Sequence, residues 1–216
     1  METTIIYVSS NRENWLFEKR IIKWLLKNSD GLPIVSVTQK PINLGKNICV
    51  GDVGTSGFNM FRQILIGLKE VKTPFVISAE ADCLYPPDYF RFKPKKDNVF
   101  YRNTNLYILG FTRNNYRYKP QGSTWAQVVG RKHYIKILEK WFKGAPMWSP
   151  EEKSFPKERW KKFDVWDKQE LYSTKDPCVS FKTGNGMRNN TPAKNSLIES
   201  IDYWGRGRDL KIKFLL

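Results

Sequence analysis

The stretch PFVISAEADCLYPPDYF, residues 74–90, decides the fold prediction for this chain. Within it an apolar run ends in two carboxylates, Glu80 and Asp82, one residue apart. Because a run without polar alternation is typical of a strand buried on both faces, residues 75–80 are predicted to form a central parallel strand. Side chains alternate along an extended chain, so both carboxylates are expected to point to the same side.

The residues before this strand predict a β-α-β unit. Residues 3–11, TTIIYVSSN, are predicted to be a strand, and an apolar helical stripe follows to about residue 28. Ser10 and Glu13 fit a capping box for that helix, and residues 33–39 form a second predicted strand. Such a unit implies parallel strands, whose carboxyl ends are where open α/β sheets bind ligands.

A glycine-rich segment, residues 43–59, is predicted to be a loop that leads into a helix. Its sequence GDVGTSG suits anion binding at a helix N-terminus, although Thr55 and Ser56 are also explained as N-caps. After Asp88 the pattern indicates an antiparallel or mixed region. The predicted elements there are strands at 98–103, 106–112 and 122–130, helices at 131–143 and 163–173, a strand and loop at 177–186, and a final strand at 209–216.

The charge of the chain is strongly positive, with 37 Lys and Arg against 21 Asp and Glu, a formal +16. Such an excess attracts polyanions, either nucleic acid or an anionic membrane surface. Nucleic acid is favoured because no basic amphipathic helix or polybasic juxtamembrane block stands out. Several basic runs, such as FRFKPKK and PKERWKK, also interleave cations with aromatic residues, although each run taken singly is explained as a solvated face. Trp125, Trp148 and Trp160 are candidates for supporting a base flipped out of a duplex.

The numbers and spacing of cysteine and histidine limit the disulfides and metal sites that the chain can form. The three cysteines form no CxxC pair, which suits a reducing cytosol, and the single histidine, His133, excludes a multi-histidine zinc site. No secretory signal and no run of about 20 apolar residues is present. The expectation is a soluble protein of the cytoplasm, with any metal held by oxygen.

The order of these features resembles the nucleotide-sugar-binding half of GT-A glycosyltransferases and is similar to the family-two-like enzymes. The matching pieces are IIYVSSN, GTSGFNMFRQILIGLK and TPFVISAEADCLYPPDYF, within roughly the first 90 residues, and Glu80 stands where that family usually has Asp. The resemblance implies an α/β, GT-A-like (Rossmann-related) mixed sheet flanked by helices in a single domain. Residues 1–90 would form the nucleotide-sugar-binding half, and residues 91–216 the acceptor-binding and catalytic half.

The resemblance also implies a donor site. Its donor-binding residues would be Ser9, Asn11, Asn59, Arg62, Glu80 and Asp82. Asp82 would hold Mn²⁺ or Mg²⁺, and Glu80 would contact the metal or the ribose. The C-terminal histidine that completes the metal site in many GT-A enzymes has no counterpart after His133. A water, Asn185 or Asn189, or no third ligand would take its place.

Inverting transfer to a hydroxyl needs a carboxylate base and a cation for the departing diphosphate. A helix over KKFDVWDKQEL would put Asp167 and Glu170 on one face, with Asp164 as its N-cap. Asp167 is the predicted base, Glu170 is the next candidate, and a capping role for Asp167 is equally compatible. Lys182 and Arg188, in the loop KTGNGMRNN, are the candidate cations, although a turn with solvated charges would look the same.

The predicted function is a glycosyltransferase that moves a sugar from a nucleotide sugar such as UDP-glucose to a hydroxyl, and the acceptor is predicted to be a hydroxymethyl pyrimidine in DNA, as in bacteriophage DNA-modifying enzymes. The alternatives are a transferase for a cell-surface or lipid-linked glycan and a non-catalytic nucleic-acid-binding protein. A nucleotidyltransferase ranks lower, because no glycine- and arginine-rich loop directly follows the first strand.

Overall fold

The structure, a computed structural model, describes residues 2–110, 112–149, 168–185 and 197–216. Its helices are α1 (Trp15–Asn28), α2 (Gly57–Glu70), α3 (Pro87–Phe90), α4 (Arg131–Phe142) and α5 (Gly207–Leu215). Its strands are β1 (Thr3–Ser9), β2 (Ile34–Thr38), β3 (Lys46–Cys49), β4 (Phe75–Glu80), β5 (Cys83–Leu84), β6 (Phe100–Asn103), β7 (Leu106–Leu109), β8 (Tyr116–Tyr118), β9 (Gln127–Gly130), β10 (Gln169–Tyr172), β11 (Cys178–Phe181), β12 (Leu197–Ile198), β13 (Ser200–Ile201) and β14 (Gly205–Arg206). Among these residues, no helix combines the length and the apolar character that crossing a membrane requires.

The main sheet has seven strands in the order β10-β6-β9-β4-β1-β2-β3. Strands β1 to β4 are parallel to one another, whereas β9 runs antiparallel to both β4 and β6. The chain builds outward from β1 through β2 to β3 and then returns to the other side of β1 with β4. The strand order thus reverses between β1 and β4, and a crevice is expected beyond their carboxyl ends.

Helices cover both faces of this sheet. Ile6 and Val8 of β1 pack on the face that carries α2 and α4, because alternate side chains of a strand point to opposite faces. Ile5 and Tyr7 point to the other face, where Leu25 of α1 belongs to the same buried cluster. Because helices cover both faces of the sheet, the ends of its strands remain accessible to a ligand.

A second sheet of five strands, in the order β12-β8-β7-β11-β5, joins the C-terminal part of the chain to the end of β4. Its strand β11 pairs with β5, with Ser180 opposite Cys83 and Val179 opposite Leu84. Because β5 follows β4 after two residues, this pairing brings residues near 181 beside the carboxylates that end β4.

The sequence-based predictions hold for the core of the fold. The strand predicted at 75–80 is β4, the initial β-α-β unit is present, and the mixed sheet is confirmed. The predicted helix at 131–143 corresponds to α4. Ser56 is the N-cap of α2, and its hydroxyl accepts a hydrogen bond from the backbone N–H of Asn59.

Two predictions near the N-terminus are wrong in detail. The capping box at Ser10 and Glu13 does not form, because Asn14 is the N-cap of α1 and its Oδ1 accepts from two backbone N–H groups. The segment predicted as a loop at 43–59 contains β3, a short strand with no buried residue. Its pairing with β2 is made by the backbone, so side-chain alternation gave no signal for it.

Two predictions in the C-terminal part are also wrong. The helix predicted at 163–173 contains strand β10 at its described end, paired with β6 at the edge of the sheet. The final strand predicted at 209–216 is helix α5. The segment DLKIKFLL alternates like a strand, but Leu210 and Phe214, four residues apart, are the side chains that it buries.

Gly130, at the junction of β9 and α4, is expected to tolerate no side chain. A Cβ there would lie 1.8 Å from the carbonyl oxygen of Asp97, a backbone atom that cannot move aside cheaply. Gly130→Ala should lower the free energy of unfolding by about 1–3 kcal/mol in denaturant titrations. Gly110→Ala, whose added Cβ would meet no other heavy atom of the described residues within 4 Å, is the control and should change the free energy of unfolding by less than about 0.5 kcal/mol. Equal effects of the two variants would contradict this packing.

Candidate functional site

A small cavity of about 110 Å³ lies at the reversal point of the sheet. Ser9 from the end of β1, Glu80 from the end of β4 and Asp82 line it, and Gln63 of α2 closes one side. The Gln63 amide donates to the carbonyl oxygens of Ser9 (3.1 Å) and Val37 (2.9 Å), which fixes the ends of β1 and β2. The predicted ligand crevice is therefore present where the topology requires it.

Glu80 and Asp82 lie on the same side of the chain, as the sequence predicted. Ligand atoms of Glu80, Asp82 and Cys83 all lie within 4.8 Å of one another. Burial, followed by the charge of Asp82, raises the pKa of Glu80 to about 8, and Lys182 opposes this shift. Glu80 is thus largely protonated at neutral pH.

Lys182 provides the positive charge beside this pair. Its Nζ lies 3.8 Å from Oδ2 of Asp82 and 3.2 Å from Oγ of Ser180. The side chains of Lys182 and Asp82 are each only 20% exposed, so water screens their attraction less than it would on an open surface. The sequence-predicted candidates Lys182, Glu80 and Asp82 are brought together.

Glu13 is a site residue that the sequence interpretation assigned to helix capping. Its Oε1 accepts a 2.8 Å hydrogen bond from the hydroxyl of Thr183, and Asn185 also hydrogen-bonds to it. Burial is the main cause that raises the pKa of Glu13, with a smaller contribution from Asp82. Because Asn14 is itself a good N-cap residue, the sequence did contain a sign that Glu13 was available for another role.

A larger cavity of about 1280 Å³ adjoins the small one, and both are lined by Ser10, Glu13 and Gln39. Asn11 lines the larger cavity and shapes its wall. Its Oδ1 accepts from the backbone N–H groups of Gln39 (2.9 Å) and Lys40 (2.8 Å), which ties the loop after β1 to the end of β2. Its backbone has a φ of 51°, a left-handed conformation that Asn adopts more readily than most residues.

Asn59 and Arg62, two predicted donor-binding residues, have their side chains engaged in the protein. The Asn59 amide donates to the carbonyl of Val53 and accepts from the backbone N–H of Ser149 at 2.8 Å. The Arg62 guanidinium donates to the carbonyl of Pro146 at 2.8 Å and lies 3.8 Å from the ring centre of Phe142. Neither residue lines the two cavities.

Glu170, a predicted catalytic carboxylate, lies on edge strand β10 and not on a helix. Its carboxylate accepts a hydrogen bond from Lys96 Nζ, and it does not line either cavity. In the sheet order, strands β6 and β9 lie between β10 and β4. The structure therefore does not bring Glu170 to Asp82.

Other predicted residues have different outcomes. Asp164, Asp167, Arg188, Asn189 and Trp160 lie outside the described residues. Trp125 is only 7% exposed and belongs to the core, so its ring has no face available for a flipped base. Asn185 lines the larger cavity, and Trp148 is half-buried.

The arrangement of donor atoms bears on the expected metal. Mg²⁺ and Mn²⁺ prefer oxygen ligands, and Glu80 and Asp82 supply them. The third group is the Cys83 thiol, whose Sγ donates to Asp82 Oδ1 at 3.1 Å and whose pKa is raised by burial. The ammonium of Lys182 already accompanies Asp82. Glu80 and Asp82 thus form a possible acidic metal-binding group, in which the buried thiol and the neighbouring ammonium are unfavourable for a hard divalent ion.

No family model matches the chain, and no curated protein matches it in sequence. Among solved structures, apo GlyE from Streptococcus pneumoniae matches with a TM-score of 0.50 at 11% identity, over 82% of this chain and 46% of GlyE. TarS 1–349 from S. aureus, in complex with UDP-GlcNAc, matches with a TM-score of 0.47 at 13% identity, over 84% of this chain and 59% of that one. The inositol-1-phosphate CTP transferase from T. maritima matches with a TM-score of 0.49 at 12% identity, over 83% and 89%.

The chain has a GT-A-like fold. The strand reversal between β1 and β4 and the similarity to the glycosyltransferase GlyE agree on this point. The chain spans less than two thirds of the TarS fragment and less than half of GlyE. Within the GT-A-like fold, the acidic group stands at the carboxyl end of β4, as the resemblance in sequence implied.

The proton on Glu80 should make stability depend on pH. The native pKa of Glu80, about 8, exceeds its ordinary value of 4.5. The stability that the protonated Glu80 contributes is therefore complete below pH 4.5 and is lost as pH rises through 8. Glu80→Gln keeps the neutral form at every pH. Its free energy of unfolding, measured in urea between pH 5 and pH 9, should therefore fall less than that of the wild type.

The control is Glu199→Gln, which removes an exposed carboxylate away from the cavity and should keep the wild-type pH dependence. A Glu80→Gln profile parallel to the wild-type profile would show that Glu80 is ionised in the native state at neutral pH.

Proposed function

We propose that this chain is a glycosyltransferase that moves a sugar from a nucleotide-sugar donor to a hydroxyl acceptor. The observation that carries the proposal is the partly buried group of Asp82, Glu80 and Lys182 at the strand reversal of a GT-A-like fold. Charged groups collected at that point of an α/β sheet are suited to bind a charged ligand. The proposed division into a donor half, residues 1–90, and an acceptor half, residues 91–216, follows from it.

The proposed donor lies across the two adjoining cavities. Its diphosphate would bind beside Lys182, with Ser9 and Glu80 at the floor of the smaller cavity, and its nucleoside would extend past Asn11. The protonated Glu80 can donate a hydrogen bond to a ribose or phosphate oxygen, which an ionised carboxylate cannot do. Asn59 and Arg62 would act on the donor through the loop and the helix end that they hold.

The proposed reaction is a substitution at the anomeric carbon of the sugar. The acceptor oxygen forms a bond to that carbon, and the bond from the carbon to the phosphate oxygen breaks, with its electron pair leaving on the nucleoside diphosphate. The acceptor's proton passes to a carboxylate, for which Asp167 is the proposed base. Lys182 and Arg188 are the proposed cations that stabilise the departing diphosphate.

DNA is the proposed acceptor, at a hydroxymethyl pyrimidine. The formal charge of +16 supports a polyanionic partner, and exposed lysines follow one line along α4. Lys132, Lys136 and Lys140 recur every fourth residue, so they span about 12 Å on one face of the helix. Such a line of cations suits the phosphates of a nucleic-acid backbone.

The donor part of the proposal is tested by incubating the protein with a panel of nucleotide sugars and scoring the release of nucleoside diphosphate. At least one donor should be turned over, and Asp82→Asn should reduce the rate by about 100-fold or more, because the charge that organises Lys182 is lost. Lys72→Met, on an exposed residue at the opposite end of β4, is the control and should keep the wild-type rate. Absence of turnover with every donor, together with absence of donor binding, contradicts the proposal.

The acceptor part is tested with hydroxymethylated and unmodified DNA duplexes. Lys132→Glu with Lys136→Glu should weaken duplex binding and reduce the slope of log K against log salt by about 2, since about two phosphate contacts are lost. Anisotropy titrations of labelled duplex at several salt concentrations measure both quantities. If DNA does not change the rate of nucleoside diphosphate release, or if the protein binds anionic vesicles but not duplex, the proposed DNA acceptor is wrong and a glycan acceptor is favoured.

A further inference from the structure

The ammonium beside Asp82 belongs to Lys182, a residue whose position is fixed by backbone hydrogen bonds. The N–H of Phe181 donates to the carbonyl of Asp82 at 2.8 Å, and the N–H of Lys182 donates to the carbonyl of Leu109 at 2.9 Å. The backbone at Lys182 is thus attached to Asp82 through the preceding residue, Phe181, and to β7 through its own N–H.

A second restraint acts on the residue that follows. The Thr183 hydroxyl donates to Glu13 at 2.8 Å, so the segment after β11 is attached to the loop between β1 and α1. The backbone of Lys182 is therefore held between these two elements, and its ammonium contacts Asp82 Oδ2 at 3.8 Å and Ser180 Oγ at 3.2 Å. A cation that is already in place need not be ordered when the ligand binds.

A divalent ion would meet a poor set of ligands in this arrangement. It would have to displace or repel the ammonium 3.8 Å from Asp82, and the third neighbouring donor is a buried thiol. In this group the described residues offer a hard dication the carboxylates of Glu80 and Asp82, so waters and phosphate oxygens would have to complete its shell of six or more oxygens. An ammonium carries three N–H donors and satisfies both a carboxylate and a phosphate oxygen without such a shell.

We propose that the ammonium of Lys182, and not a divalent metal ion, is the cation that binds the diphosphate of the donor. This inference rests on the proposed function and specifies how its site works. Lys182 turns an N–H toward a phosphate oxygen while Asp82 holds the ammonium in place. The ligand class is a nucleoside diphosphate or its sugar ester, and nucleotide binding is independent of added metal.

The inference is tested by calorimetric titration of UDP, GDP, ADP, CDP and inorganic pyrophosphate into the protein, in excess EDTA and in Mn²⁺ or Mg²⁺. At least one nucleotide should bind, with dissociation constants in EDTA and in metal that agree within about 3-fold. In EDTA, Lys182→Met should weaken binding by about 10- to 100-fold, the range expected for loss of a hydrogen bond to a charged group. Lys182→Arg keeps the charge and should retain most of the affinity.

Lys72→Met, which removes a lysine far from the cavity, should bind nucleotide as the wild type does. Circular dichroism and thermal unfolding establish that each variant is folded. If Lys182→Met does not fold, the affinity of Lys182→Arg and the comparison of EDTA with metal still test the inference. Nucleotide binding that requires Mn²⁺ or Mg²⁺ and is lost in EDTA overturns the inference but leaves the proposed function in place. Absence of binding by every probe, with or without metal, overturns both.

Discussion

Two carboxylates held side by side at the end of a buried strand repel each other, and the surroundings of β4 reduce that repulsion. Glu80 retains a proton because burial and the charge of Asp82 raise its pKa to about 8. The ammonium of Lys182 lies 3.8 Å from the carboxylate of Asp82. The backbone is fixed as well, since the N–H of Glu80 donates to the Tyr85 hydroxyl at 3.1 Å. A site with one proton and one ammonium in place is prepared for an anionic ligand.

The second sheet is what makes this arrangement possible. Lys182 follows Asp82 by a hundred residues in the sequence, and only the pairing of β11 with β5 brings them together. The first sheet fixes the position of β4 next to β1, and the second fixes the cation next to β4. Both sheets thus contribute to one small volume, with Glu13 and Thr183 forming a further connection across it. A substitution that disturbs the β5–β11 pairing would alter the electrostatics of the site without touching a carboxylate.

Elements with a single dominant periodicity were predicted correctly from sequence. Strand β4 has an almost wholly apolar run and helix α2 has a clear apolar stripe, so the type and position of both elements could be predicted. Helix α5 was predicted as a strand because its apolar residues alternate, and only packing beside α1 decides which of them are buried. The short edge strands β3 and β10 depend on backbone pairing, which composition does not encode.

The site was predicted in part for a similar reason. Glu80 and Asp82 were identified because they end a strand that could be predicted from the sequence, whereas the proximity of Lys182 depends on long-range strand pairing. Asn59 and Arg62 match a family pattern, but their side chains hold the backbone near residues 53 and 146–149. A family pattern predicts that a polar residue stands at a given position. It does not distinguish a residue that contacts a ligand from one that shapes the pocket.

The most direct measurement is a crystal structure of the protein soaked with the nucleotide sugar that it turns over or binds best, in a metal-free solution containing EDTA. The account predicts density for the diphosphate in the crevice between β1 and β4, with a phosphate oxygen within about 3 Å of Lys182 Nζ. Density for the nucleotide at another place on the molecule, or a crevice that stays empty at saturating ligand, would contradict it.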